Sequence, residues 1–231
     1  MKKLYFIPPL ILQTLIWIPA RLILIFFVEL KVNGVENLKG LEKGIIFASN
    51  HANALDPILL PASLPFLSKF MPMFYTSREN TFYKRLWMRV FFSSGLFFKA
   101  WGSYAVGIGI HNYEESLKSH IRILNDKHSL FIFPEGSTTK DGNLKEAKGG
   151  VAFLTHKTNL PVVPVGINST YKISWGSFFL RKRKITLNIG KPMSLKDIFD
   201  DKKEITIDDY KSGANKIMEE IKKLYNRSSN H

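Results

Sequence analysis

The sequence predicts an α/β fold: a mixed, partly parallel sheet flanked by helices, behind a hydrophobic N-terminal helix or helix pair. Three observations predict it. Short apolar runs bounded by glycine, asparagine or proline recur along the chain, as buried strands do. Between them stand stretches with apolar residues at three- and four-residue spacing, and that alternation marks strands joined by helices. The opening of the chain, by contrast, is almost without charge. At 231 residues there is enough chain for one sizeable domain, and the sequence divides into an N-terminal segment, 1–30, and a single domain, 31–231.

The N-terminal segment reads MKKLYFIPPLILQTLIWIPARLILIFFVEL, and from Leu4 to Val28 its only charge is Arg21. A spanning helix needs about 20 apolar residues, and Pro8, Pro9, Pro19 and Arg21 interrupt this run. Four readings stand side by side. The expected one is a bent helix or helix pair lying in one leaflet, with Lys2, Lys3 and Arg21 reaching headgroups. The others are a single spanning helix, a buried core helix, and a signal peptide with a poor cleavage site at Pro19-Ala20-Arg21. Positive residues at the start and a basic body favour the cytoplasmic side of a membrane.

The remaining elements follow in order. GIIFAS (44–49) and MPMFYTS (71–77) are strand candidates. The aromatic and basic stretch 80–100 has helical spacing, with Gly95 as its end, and 111–126 is a helix opened by Asn112 and Glu115. SLFIFPEG (129–136) is a strand running into a turn, 148–158 a helix, and 160–168 a buried strand. RKRKITLNIG (181–190) begins with four basic residues and ends as an alternating strand. The last helix, 207–225, places Tyr210, Ala214, Ile217, Ile221 and Leu224 on one face. In sheets of this class ligands gather beyond the carboxyl ends of strands. Two strands end there in polar segments, SNHANALDP (49–57) and EGSTTKDG (135–142).

Composition narrows the partners. Lys plus Arg is 33 against 19 for Asp plus Glu, a net charge of +14, which draws the chain to nucleic acid, an anionic membrane or an acidic substrate. The 18 phenylalanines lean toward lipid, and no recognised nucleic-acid motif is present, so nucleic acid is not an expected partner. The absence of cysteine removes disulfides, thiolate metal sites and a cysteine nucleophile, and fits a reducing compartment.

Within 49–57, a histidine oriented by a carboxylate can take a proton from a hydroxyl at neutral pH, and His51 with Asp56 supplies both groups. The plainer reading makes His51 an ordinary loop histidine and Asp56 the cap of a helix starting at Pro57. No serine or cysteine stands in a recognisable nucleophile elbow, so such a pair would act on a substrate's own hydroxyl. Glu135, followed by Gly136 and the hydroxyls of Ser137, Thr138 and Thr139, suits a polyol, or is a plain turn leaving a strand.

Together, NHANALDP and FPEGSTT, about 80 residues apart, resemble the glycerolipid or lysophospholipid acyltransferase family, which includes the 1-acylglycerol-3-phosphate acyltransferases. The family's first motif, N-H-x4-D, matches Asn50, His51 and Asp56. Its F-P-E-G motif matches Phe133, Pro134, Glu135 and Gly136, followed by Ser137 and Thr139, and its V-P-V strand matches Val163, Pro164 and Val165. The resemblance implies that His51 is the general base, oriented by Asp56, and that the acceptor's hydroxyl oxygen attacks the thioester of acyl-CoA or acyl-carrier protein. It implies that Glu135 and Gly136 hold the acceptor's head, with Ser137, Asn50 and Lys148 beside them, and that no metal or cofactor takes part. The implied acceptor is a membrane lipid, first of all 1-acylglycerol-3-phosphate giving phosphatidic acid, at an anionic membrane surface. The sequence departs from the family at two arginines that read phosphate: position 138 is Thr, and 107–109 is Gly-Ile-Gly. Lys140, Lys145 and Lys148 stand nearby as replacements. The alternatives are an acceptor without that phosphate and a catalytically silent membrane-binding module of the same fold.

Overall fold

The structure is a computed structural model and describes residues 4–77, 96–107, 112–173, 175–180, 184–202 and 204–226. A 3₁₀ turn, Leu4–Phe6, leads into α1 (Ile7–Phe27). Then come β1 (Glu29–Asn33), β2 (Ile46–Ser49), α2 (Asp56–Ser63), β3 (Met73–Ser77), α3 (Leu96–Trp101) and β4 (Ser103–Ala105). The second half holds α4 (Tyr113–Ser116), α5 (Lys118–Asn125), β5 (Ser129–Ile132), α6 (Gly150–Thr158) and β6 (Val162–Asn168). It closes with α7 (Trp175–Phe179), β7 (Lys184–Ile189), α8 (Leu195–Phe199) and α9 (Ile207–Asn226).

Among the described residues the strands form one sheet in the order β1-β7-β6-β2-β5-β3-β4. Neighbours are parallel except β6 and β7. This is the mixed, partly parallel sheet that the sequence predicts. The central strands are buried throughout, which is why they read as unbroken apolar runs rather than as alternation. Their side chains divide between two faces. Ile46, Leu130 and Val162 pack with Leu154, Ile217 and Ile221 of α6 and α9. Phe47, Phe131 and Val163 pack with Leu24, Leu59 and Leu60 of α1 and α2. Each such side chain taken from water contributes about 1.5–3 kcal/mol, so Phe131→Ala, in mid-sheet, would cost roughly 3–5 kcal/mol.

Of the expected N-terminal helix or helix pair, α1 is the single-helix form. It is one helix of 21 residues that continues through Pro19. Pro8 and Pro9 sit in its first turn, where a missing N–H costs nothing. The stretch Leu4–Phe27 is long and apolar enough to cross a membrane, with a mean hydropathy of 2.1 over 18 residues of which only 11% are buried. Its polar side chains nevertheless tie it to the domain. Gln13 donates to the carbonyls of Met73 (2.7 Å) and Trp101 (2.9 Å) and accepts the Met73 N–H (2.8 Å). Trp17 donates to Leu64 O at 3.2 Å and Arg21 to Ala62 O at 2.6 Å. Gln13, Trp17 and Arg21 are four apart, so they line one face of the helix. On the other side Ile11, Leu15, Ile18 and Leu22 are exposed.

Two further expectations need adjustment. The helix over 111–126 is two helices that meet at Leu117, whose backbone (φ −112°, ψ 11°) leaves the helical region. Asn112 caps the first through the Glu114 N–H at 2.8 Å, while Glu115 pairs with Lys118. The expected helix over 80–100, with its end at Gly95, lies outside the described residues save for α3. The boundary drawn at residue 30 falls inside β1.

Candidate active site

β2 and β5 are adjacent and parallel, with Ala48 opposite Ile132. Both polar segments therefore leave the same edge of the sheet side by side, although 84 residues separate His51 from Glu135. β6 flanks β2 on its other side. This adjacency builds the site.

The 51–56 turn is shaped around Asp56, which is fully buried. Its Oδ2 accepts the backbone N–H of Ala52 (2.6 Å) and Asn53 (2.7 Å) and lies 3.0 Å from His51 Nδ1. A carboxylate oxygen only accepts, so Nδ1–H donates to it, and in the neutral ring the lone pair is then on Nε2. Nε2 has no hydrogen bond among the described residues, and the ring is partly open to solvent. Asp56 is the first residue of α2, and no side-chain cap bond is made there. Its carboxylate turns backward onto the loop, not forward onto its own helix, so Asp56 does not cap α2.

His51 is held on every other side. Its ring stacks on Phe133 with centroids 4.1 Å apart and planes 17° apart. Its N–H donates to Glu135 Oε1 at 2.9 Å, and its carbonyl accepts the Thr139 N–H at 2.8 Å. Glu135 Oε2 takes the Lys145 N–H at 3.0 Å. Burial pushes the Glu135 carboxyl up, against the pull of these two amides. Both oxygens thus brace backbone, and the residue joins the two loops from beneath.

The other expected site residues fall into two groups. Asn50 is buried, and both ends of its amide are used by Ile167: Nδ2 donates to the carbonyl and Oδ1 accepts the N–H, each at 2.8 Å. It splints the end of β2 to β6. Gly136 and Ser137 are half-buried, and Lys148 is exposed. Gly136 has φ +69°, and a Cβ there would come within 3.0 Å of the Lys148 side chain that crosses it. Lys145 donates to Ser137 Oγ (2.7 Å) and to the carbonyl of Thr138 (2.6 Å). Its ammonium therefore sits beside position 138. The platform under His51 is a role of Phe133 that spacing alone does not show. The segment 107–109 lies outside the described residues from position 108 onward. Among the described residues no three His, Asp or Glu side chains converge as metal ligands.

A family model described as Acyltransferase matches residues 29–168. The chain belongs to the acyltransferase family. It is similar to a 1-acyl-sn-glycerol-3-phosphate acyltransferase of Limnanthes douglasii, 29% identical over 200 residues, 84% of this chain and 63% of that protein. One from Limnanthes alba is 35% identical over 99 residues, 42% of this chain and 34% of that protein. The chain thus spans less than two thirds of the length of these relatives. Its fold is similar to the crystal structure of the 1-acyl-sn-glycerophosphate (LPA) acyltransferase PlsC from Thermotoga maritima. The TM-score is 0.62 at 17% identity, covering 95% of this chain and 82% of that one.

Proposed function

We propose that this acyltransferase moves a fatty acyl group from acyl-CoA or acyl-carrier protein to the hydroxyl of 1-acylglycerol-3-phosphate, forming phosphatidic acid. The observation that carries the reading is the 3.0 Å contact of His51 Nδ1 with Asp56 Oδ2. With Nδ1–H engaged by the carboxylate, Nε2 is left to act as the proton acceptor in this reading. The acceptor hydroxyl gives its proton to Nε2 as its oxygen bonds to the thioester carbonyl carbon. The tetrahedral intermediate then collapses, the C–S bond breaks, and the leaving thiolate takes the proton back from His51. Asp56 favours the imidazolium that exists between the two steps.

Lys145 and Lys148 support a phosphate-bearing acceptor. The Lys145 ammonium lies on Ser137 and on the carbonyl of Thr138, so a cation stands where the family carries arginine. Glu135 and Asn50 act in this reading as positioning residues. The names of the Limnanthes relatives point to the same acceptor. The exposed apolar side of α1 and the net charge of +14 support attachment to the anionic cytoplasmic face of a membrane, where the acceptor resides.

The test is a membrane assay with labelled acyl-CoA and 1-acylglycerol-3-phosphate, comparing the native chain with His51→Ala. Labelled phosphatidic acid from the native chain alone is the expected result. Turnover by the native chain with a lyso-lipid lacking phosphate, and none with this acceptor, would reject the acceptor while keeping the chemistry.

A further inference from the structure

The exposed apolar surface of α1 continues onto two loops. Near the middle of the helix, Phe66 packs on Trp17 with ring centroids 5.2 Å apart. At its end, Phe27 lies against Phe178 (5.7 Å) and Phe179 (5.1 Å). Beyond these contacts the loops carry two apolar tips: Leu67 is 67% exposed and Leu180 is 65% exposed. The first tip breaks a local rule. Pro65 to Ser68 is a turn closed by the Ser68 N–H on the Pro65 carbonyl at 3.0 Å, and Leu67, its third residue, has φ +56°. Turns with a left-handed third position select glycine or asparagine. A leucine there is neither the residue the backbone favours nor one that water favours.

We propose that Phe66–Leu67 and Phe179–Leu180 are two further insertion points that, with the exposed side of α1, seat the domain flat on one leaflet of an anionic bilayer. Trp17 and Phe27 are ten residues apart, roughly 15 Å along the helix axis. Were α1 to stand along the bilayer normal, the tips would lie at very different depths. With α1 in the plane of the leaflet, that axial separation no longer sets them at different depths. Charge complements the arrangement. Lys69 is exposed two residues from Leu67, and the chain runs from Leu180 straight into Arg181-Lys182-Arg183-Lys184. Cations beside apolar tips match a surface of anionic headgroups over hydrocarbon.

The inference rests on the membrane reading of α1, and one experiment separates the two. The chain has no cysteine, so a single reporter can be placed at will. Full-length Leu67→Cys, Leu180→Cys, Ile18→Cys on the exposed side of α1, and Lys222→Cys on α9 across the sheet are each given an environment-sensitive dye. They are then reconstituted in vesicles of phosphatidylcholine and phosphatidylglycerol. Expected is a blue shift, with quenching by lipid-attached quenchers, at 67, 180 and 18, and none at 222. Quenching at 18 with 67 and 180 in water would overturn the tips and leave the helix reading intact. Water at all three would overturn both. Protection of 67 and 180 that disappears on dilution into excess lipid would put a second copy of the chain against them, and also overturns the proposal. As a second readout, Leu67→Asn keeps the turn and removes the tip. It should partition about tenfold more weakly into the same vesicles, with turnover in detergent micelles unchanged.

Discussion

Glu135 accepts the N–H of His51 at 2.9 Å, and with its other oxygen the N–H of Lys145 at 3.0 Å. The turn that carries His51 and the loop that carries Lys145 are thereby one piece. Glu135→Gln turns one acceptor oxygen into a donor that faces an N–H. Leaving that buried amide unpaired costs about 1–3 kcal/mol, so kcat should fall roughly ten- to a hundredfold, with a lower unfolding midpoint. Steady-state kinetics and denaturant titration check this. A raised KM at unchanged kcat would mean that the carboxylate touches substrate instead.

Asp56 Oδ2 serves His51 and two backbone amides at once. Asp56→Asn keeps the volume and loses an acceptor, so the ring is no longer held in its working tautomer. Activity should drop by about 10²–10⁴, the usual worth of general-base catalysis. Because the two residues act as a unit, His51→Ala combined with Asp56→Asn should be no slower than His51→Ala alone. Single-turnover rates for the three variants decide it; additive losses would refute the unit.

Gln13 occupies three backbone groups of the domain: the carbonyl and N–H of Met73 and the carbonyl of Trp101. Gln13→Leu makes α1 more apolar yet leaves those groups buried and unpaired, a loss of roughly 3 kcal/mol. The expected outcome is tighter membrane binding with looser docking. It is read as faster proteolysis between α1 and β1, together with a lower unfolding midpoint.

His120 is buried between α5 and β4. Nε2 donates to Tyr104 O at 3.2 Å, and Nδ1 has no partner among the described residues. Burial lowers its pKa from 6.5 to about 4. Between those values the unfolded chain binds a proton that the folded chain refuses. The contribution of neutral His120 is therefore complete above about pH 6.5 and is lost as pH falls toward about 4, at up to about 1.4 kcal/mol per pH unit. Unfolding free energies measured across that window should slope upward with pH, and His120→Leu should flatten the slope.

Local pattern carried most of the fold and part of the site. The strands at 46–49, 129–132 and 162–168 are legible because a strand covered on both faces is apolar throughout. The pairing of His51 with Asp56 is legible because Pro57, in the first turn of a helix, leaves the residues before that helix as a loop. Edge strands escaped this reading. Glu29–Asn33 alternates between exposed and half-buried, and Ser103–Ala105 is three residues long, so neither leaves an apolar run. The prolines of α1 suggest an interrupted helix in the sequence, yet two of them fall where a helix has no N–H to lose.

The sequence by itself determined which residue types stand at the carboxyl ends of which strands, because burial and turn chemistry are local demands. What each of those residues does was decided only by tertiary structure. Asn50 became a splint because β6 lies against β2, and Glu135 a brace because β5 lies on its other side. The direction of the Asp56 carboxylate was settled by the amides of Ala52 and Asn53, not by its place at the head of a helix. Hydrogen-bond partners that lie 84 and 117 residues away leave no period and no spacing in the chain. They exist only once sheet order has placed one strand's end beside another's.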